Sequence, residues 1–293
     1  MRVQSVTQAE ETMENKEQTI KMIQYFSDHW YRRVIQRDKS PEEIRWYAST
    51  TTKLGIVAKY GLDKWRGDIG NREADLRMME AASRGSRIHK AWEVYQMGGS
   101  VGYWRWQLDE EKPEADFVLR DQGEYLDFLK LHYFTEAVKP DFLATEYILY
   151  SDKYGEAGTC DNILGIKGGS YMIGGSKPVV LKEGTYIADL KSGKAVYDEA
   201  FLQVADYTAM YMEMGLAAAW GEIQGALILH TKATTRGGII GFSATLRTIE
   251  QLREDFKDYR AVAQMWERKN KKSAPKDFEF PQVIRRVVNE KTT

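Results

Sequence analysis

Cysteine is nearly absent, with Cys160 alone in 293 residues. One thiol can form neither an intramolecular disulfide nor a cysteine-ligated iron–sulfur cluster within one chain, so no iron–sulfur cofactor is expected. Histidine is scarce as well: there are four, with no His-x-x-x-His or Cys-x-x-Cys spacing, which leaves a zinc site poorly supplied. No apolar run reaches the roughly 18 residues a membrane span needs. The stretch from Met1 to Lys21 is polar and lacks an apolar h-region, so no secretory leader is expected. Proline falls to six residues, and no internal repeat or low-complexity linker breaks the chain. Together these absences favour a soluble protein of a reducing, cytoplasmic compartment, with no membrane partner.

What is present suffices for a core. Hydrophobic residues make up 43%, enough for one large domain or two modest ones. Net charge is −1, from 42 basic and 43 acidic residues, and by itself does not advertise a polyanionic partner. The distribution is uneven. Residues 107–127 hold eight acids and two bases, a local charge of −6 that leaves about +5 for the remainder. Basic residues gather at 32–39, 84–90, 167–194 and 269–276. Most such charges are solvated faces, but clustered around a site they would suit a polyanion.

Residues 1–22 read as a helix or a loose arm. Residues 23–34 and 44–52 are rich in aromatic and β-branched side chains and suggest a hairpin, although Pro41-Glu42-Glu43 could equally open a helical turn. Helices are expected over 52–64, 72–97 and 126–137, the second interrupted by Gly85 where alanine would be favoured by roughly 1 kcal/mol. Strands are expected over 142–150, 158–166, 185–191 and 223–231, with a further one at 238–244. Residues 167–184, with five glycines and one proline, read as an extended loop or hairpin. Residues 197–214 follow helical spacing, with Phe201, Val204, Ala205, Thr208, Ala209 and Met212 on one face. Thr248-x-x-Gln251 resembles a capping box opening a helix to about Lys269. The expected fold is α/β, a mixed central sheet flanked by helices.

Charged side chains at the end of an apolar strand draw attention next. In Tyr186-Ile187-Ala188-Asp189-Leu190-Lys191 the period of two puts Asp189 and Lys191 on the same face. An isolated Asp-x-Lys is ordinarily a surface ion pair. Here the strand is apolar, and desolvating two ions needs a reason such as a divalent metal held by the acid. Lys191 would then orient or help deprotonate an attacking water and offset charge on phosphoryl oxygens. Asp161 could be a turn-adjacent cap, or could converge with Asp189 on an oxygen-seeking cation. Glu146, on the preceding strand, is a third acid, with a structural or salt-bridged role as its alternative. Gln203 and Tyr207 stand at i and i+4, where a surface hydrogen bond is the plain reading. In an active-site reading Gln203 braces the catalytic strand and Tyr207 contacts a phosphate or stacks on a base. Gly85 and His89 share a helical face, glycine permitting close approach of another backbone or of DNA. His29, His132 and His230 receive no role.

Taken in order, Gly85-x-x-x-His89, Gly158-x-x-Asp161, Asp189-x-Lys191 and Gln203-x-x-x-Tyr207 resemble the PD-(D/E)XK nuclease superfamily, in particular its RecB-type exonuclease branch of phage and bacterial recombination and repair nucleases. Ala48-Ser49-Thr50-Thr51-Thr52-Lys53-Leu54 with Leu62-x-x-Trp65 is similar to the leader of such phage enzymes. The resemblance spans residues 46–212. It implies a restriction-endonuclease-like core that binds one or two Mg²⁺ or Mn²⁺ ions. By motif position His89, Asp161, Asp189 and the Leu190 main-chain carbonyl would be metal ligands, Lys191 the catalytic lysine, and Gln203 and Tyr207 supports of the site and the DNA. It divides the chain into an N-terminal arm or hairpin (1–45) packed on the core, a nuclease domain (46–270) and a tail (271–293). The segment between Asp161 and Asp189 is longer than the family's usual hairpin. The implied activity is metal-dependent exonucleolytic hydrolysis of DNA. A nicking or structure-specific endonuclease and a non-catalytic DNA-binding or assembly protein are the alternatives. Related phage enzymes imply a single-strand annealing or other recombination partner and allow a homo-oligomer, for which the acidic stretch could be an interface or a repulsive outer face.

Overall fold

A computed structural model describes residues 18–25, 28–35, 43–57, 60–105, 107–174, 177–234 and 240–276. The centre is a mixed eight-stranded sheet in the order β1-β2-β3-β7-β10-β11-β12, with β6 paired to β7. Its strands are β1 (Gln18–Tyr25), β2 (Asp28–Ile35), β3 (Glu43–Ser49), β6 (Asp141–Ser151), β7 (Glu156–Ile166), β10 (Gly184–Lys191), β11 (Ile223–Thr234) and β12 (Ile240–Thr248). The β3–β7 and β10–β11 pairs are parallel and the rest antiparallel. Two small sheets lie outside it, β4 (Val101–Tyr103) with β5 (Phe117–Leu119) and β8 (Gly169–Tyr171) with β9 (Val179–Leu181). The helices are α1 (Thr50–Leu54), α2 (Tyr60–Ile69), α3 (Asn71–Gln96), α4 (Gln122–Val138), α5 (Asp198–Glu213), α6 (Ala217–Trp220) and α7 (Ile249–Lys269).

Sheet strands buried on both faces explain the continuous apolar runs. On one face Ile163 of β7, Ile187 of β10 and Ala226 and Ile228 of β11 pack against Val204, Tyr207 and Tyr211 of α5. On the other, Leu164, Tyr186, Ala188, Leu190, Leu227 and Leu229 meet Ile88 and Trp92 of α3 and Leu131 and Phe134 of α4. The Thr248–Gln251 capping box opens α7 as its sequence suggests. The glycine-rich segment forms the β8–β9 hairpin.

Three expectations need correction. Residues 18–22, expected as helix or loose arm, belong to β1, because β2 offers an antiparallel partner along its whole length, and the run expected over 23–34 is divided between β1 and β2; residues 1–17 and 277–293 lie outside those described. The helix expected over 52–64 is instead two, α1 and α2. Met212 is half exposed, while Ala200, Tyr207 and Tyr211 are buried, so the inward face of α5 is rotated from the expected stripe. Strands β2 and β3 form the expected antiparallel pair, in the same sheet as the rest.

Candidate active site

The site opens where β7 changes partners along one edge. At its start Glu156 and Ala157 pair with β3, and at its end residues 162–166 pair with β10. Between them Gly158–Asp161 has no ladder partner on that edge among the described residues. Ala188 pairs with Asn162, so Asp189 and Asp161 are the next residues on each strand, immediately past the last rung. Side chains enter the gap that backbone pairing leaves.

Tyr207 fills its inner end. A Cβ on Gly158 would stand 2.3 Å from Tyr207 Cε1 and 3.0 Å from Thr50 Oγ1, so this position admits only glycine without rearrangement. From Tyr207 a relay runs outward: Gln203 Nε2 donates to the Tyr207 hydroxyl (2.9 Å) and Lys191 Nζ donates to Gln203 Oε1 (3.1 Å). Lys191 Nζ also lies 2.7 Å from Asp189 Oδ2, an ion pair with a carboxylate that is almost fully buried. Gln203 thus contacts the end of β10 through Lys191. Tyr207 does not do what was expected of it: at 3% exposure its ring is enclosed by protein and can neither stack on a base nor meet a phosphate.

The second half of the site comes from α3 and β6. His89 Nδ1 lies 3.7 Å from Asp161 Oδ2 and 3.9 Å from Glu146 Oε1. His89, Glu146 and Asp161 each offer one ligand atom, all within 4.8 Å of one another. Thr145 pairs with Asn162 and Tyr147 with Cys160, so Glu146 stands across from Asp161. Its backbone is left-handed (φ 49°), a conformation that a side chain adopts only at a cost of about 1–3 kcal/mol and that recurs at functional sites. Glu146 thus joins the donor group more closely than Asp189, which Lys191 engages. Leu190 enters through its N–H, which donates to Asp161 Oδ2 (2.7 Å) and aims that carboxylate. Gly85 serves close approach, but of protein: a Cβ there would stand 3.2 Å from Ser192 Oγ.

Electrostatics fit this crowding. Burial lifts Asp189 to about 6, against the opposing pull of Lys191, and also raises Asp161 despite His89 and Lys191. Burial works against a charged His89, but Asp161, Glu146 and Asp189 outweigh it and hold the imidazole near 9. Lys191 is likewise opposed by burial and raised overall by Asp189 and Asp161, which keeps it an ammonium at neutral pH. In this state it is a cation and hydrogen-bond donor rather than a base. The donor set, two or three carboxylates and one imidazole, fits a hard divalent cation. Beside Lys191 a cleft of about 200 Å³ is lined by Thr51, Gly55, Tyr197, Ala200 and Gln203 among others.

Two supporting features escaped sequence reasoning. His230 Nε2 donates to the Gly193 carbonyl (2.8 Å) and pins the loop after Lys191, although a lone histidine on a strand gives no such signal. Lys53, inside the leader-like segment, is buried and bonds Glu156 and Glu267, both at 2.8 Å. Cys160 is buried, with its thiol directed to the Asn162 carbonyl. Among the described residues no helix is long and apolar enough to cross a membrane. No protein-family model and no curated protein matches this chain.

Proposed function

We propose that the chain is a Mg²⁺- or Mn²⁺-dependent deoxyribonuclease of the PD-(D/E)XK type, with a restriction-endonuclease-like core, acting as an exonuclease in recombination or repair. The observation that carries this reading is the convergence of His89, Glu146, Asp161, Asp189 and Lys191 from α3, β6, β7 and β10 in one opening of the sheet. A structural ion-pair network has no need of an imidazole facing two carboxylates beside an Asp-x-Lys pair.

His89, Glu146 and Asp161, with Asp189 beside them, would hold the cation, which when bound supplies a Lewis acid for the scissile phosphate and a more acidic water. The chain's own contributions follow from the geometry. Asp161 is aimed by the Leu190 N–H, and its charge is balanced by His89 and Lys191. Lys191, fixed by Gln203 and Asp189, presents N–H donors that orient water and offset negative charge growing on phosphoryl oxygens. Tyr207 acts through Gln203 and is a positioning residue. DNA is the proposed partner; an annealing protein and a homo-oligomer extend the same resemblance.

The test is digestion of linear, closed circular, single- and double-stranded DNA with Mg²⁺ or Mn²⁺. Linear DNA should be degraded and closed circles spared, with Lys191→Ala losing roughly 10²–10³-fold in rate. Cutting of closed circles would transfer the reading to an endonuclease. Pure wild-type protein that leaves every DNA form intact with either ion would refute the nuclease reading.

A further inference from the structure

We infer that Arg84, Lys130, Lys194 and Lys232 form a phosphate-backbone site that grips DNA beside the scissile bond. The inference rests on the nuclease reading for its substrate, but not for its geometry.

Four contacts draw the four cations to one end of the sheet. Asp127, on α4 and 2% exposed, pairs with Arg84 Nη2 of α3 (2.5 Å) and with Lys130 Nζ of its own helix (2.9 Å). Lys130 Nζ also donates to the Thr231 carbonyl (2.6 Å), which places the next residue, Lys232 of β11, beside it. His230, two residues before Lys232, holds Gly193, which places the exposed Lys194 on the same rim. Of these cations Arg84 and Lys130 pair with Asp127, which also acts on Lys232 across the gap. The nearby Glu124 is not available to them, because Arg87 takes it. Among the described residues no carboxylate lies within ion-pair distance of Lys194 or Lys232.

An excess of like charge is unfavourable unless an anion completes it. Lys232 bears the mark of this crowding: partial burial and then Arg84, with Lys130 and Lys194, pull its ammonium below the usual lysine range, and Asp127 only partly offsets them. The location is what a substrate backbone needs. Lys194 follows Lys191 by three residues, and Arg84 adjoins Gly85, which abuts Ser192. His89 lies one helical turn beyond Gly85, roughly 6 Å along α3. The cluster thus adjoins the candidate site along the same helix and the same loop after β10, where a bound strand would continue past the site. The acidic stretch of residues 107–127 thus contributes Asp127 and Glu124 inward, where they organise arginines and a lysine instead of repelling DNA.

The experiment is fluorescence anisotropy of a labelled linear duplex against wild type, Lys194→Gln, Lys232→Gln and the double variant. Ca²⁺ replaces Mg²⁺, and salt is varied from 50 to 200 mM. Each lost phosphate contact should weaken binding about five-fold at 0.15 M salt and lower the slope of log K against log salt by about 0.9, so the double variant should lose about 1.8. Lys257→Gln, an exposed lysine on α7, should leave the slope unchanged. Melting curves of the variants check that the fold is intact. In a parallel Mg²⁺ digestion the double variant should raise KM with kcat preserved. A double variant with wild-type affinity and slope, or wild type that does not bind duplex at 50 mM salt, overturns the inference. Binding with the expected slopes but no cleavage by wild type sinks the nuclease reading alone and leaves the phosphate site standing.

Discussion

Gly158→Ala is the substitution whose outcome the packing specifies most tightly. The residue is buried on β7 and its φ is not left-handed, so the backbone itself accepts alanine. Alanine would even gain about 0.4–1 kcal/mol by restricting the unfolded chain. The added methyl, however, would stand 2.3 Å from Tyr207 Cε1, more than 1 Å inside ordinary contact, with Thr50 Oγ1 on its other side at 3.0 Å. Overpacking of that kind costs about 1–3 kcal/mol, so the net loss should be about 1–2 kcal/mol, or about 2–4 °C in Tm per kcal/mol. Tyr207 is enclosed and must move, and it carries Gln203 and then Lys191 with it. Cleavage should therefore fall through kcat, with divalent-ion affinity nearly unchanged, because His89, Glu146 and Asp161 are not on that relay. A double-mutant cycle isolates the clash. Tyr207→Ala alone should cost about 3–5 kcal/mol as a large buried ring is lost, yet in that background Gly158→Ala should lose most of its cost, with only the 3.0 Å approach to Thr50 Oγ1 remaining. If Gly158→Ala is equally damaging with and without the Tyr207 ring, the clash is not the reason for glycine and the relay argument fails with it.

Further outcomes can be measured on the same protein. Asp189 holds its proton longer in the folded state (about 6) than at its usual 3.8, so the chelated protein should lose stability as pH rises from about 4 to about 6. His89, raised to about 9, contributes stability that is complete below its usual 6.5 and is lost as pH passes about 9. Melting temperatures in EDTA should fall through both windows, Asp189→Asn removing the first step and His89→Gln the second. Saturating divalent ion should widen its stabilising effect as pH rises. Glu146→Gly relieves a left-handed side-chain position and should raise stability by about 1 kcal/mol in urea while weakening metal binding measured by calorimetry. No gain in stability would mean that the φ is not strained. Lys53→Met leaves Glu156, fully buried, with Tyr259, Arg260 and the neighbouring Asp206, and should cost about 3 kcal/mol. A loss under about 1 kcal/mol would show that Arg260 suffices to neutralise that carboxylate.

Much of the architecture was legible along the chain because it depends on local periodicity. The helices at 72–97 and 126–137 and the strands at 142–150, 158–166 and 185–191 emerged within a few residues of their observed limits, since apolar spacing reports directly on a buried stripe or face. The Thr248 capping box was legible for a similar reason: its partners are three residues apart. Failures arose where strand pairing or helix packing, rather than local spacing, decided the outcome. Residues 18–25 are a strand only because β2 pairs with them, and Met212 looked inward only because helical spacing does not say how the helix is rotated about its axis.

The candidate site divides along the same line. From the residues alone came the identities worth watching, since an Asp-x-Lys at the end of an apolar strand and Gln203 one helical turn from Tyr207 are short-range patterns. Tertiary packing alone decided that Glu146 joins His89 and Asp161, that Tyr207 is enclosed, and that Gly85 faces Ser192. It also decided that Arg84, Lys130, Lys194 and Lys232 share one rim. A sequence records which side chain follows which, with periods of two or 3.6. Distances between groups a hundred residues apart are set by how strands pair and where that pairing stops, and on one edge of β7, among the described residues, it stops at Gly158–Asp161.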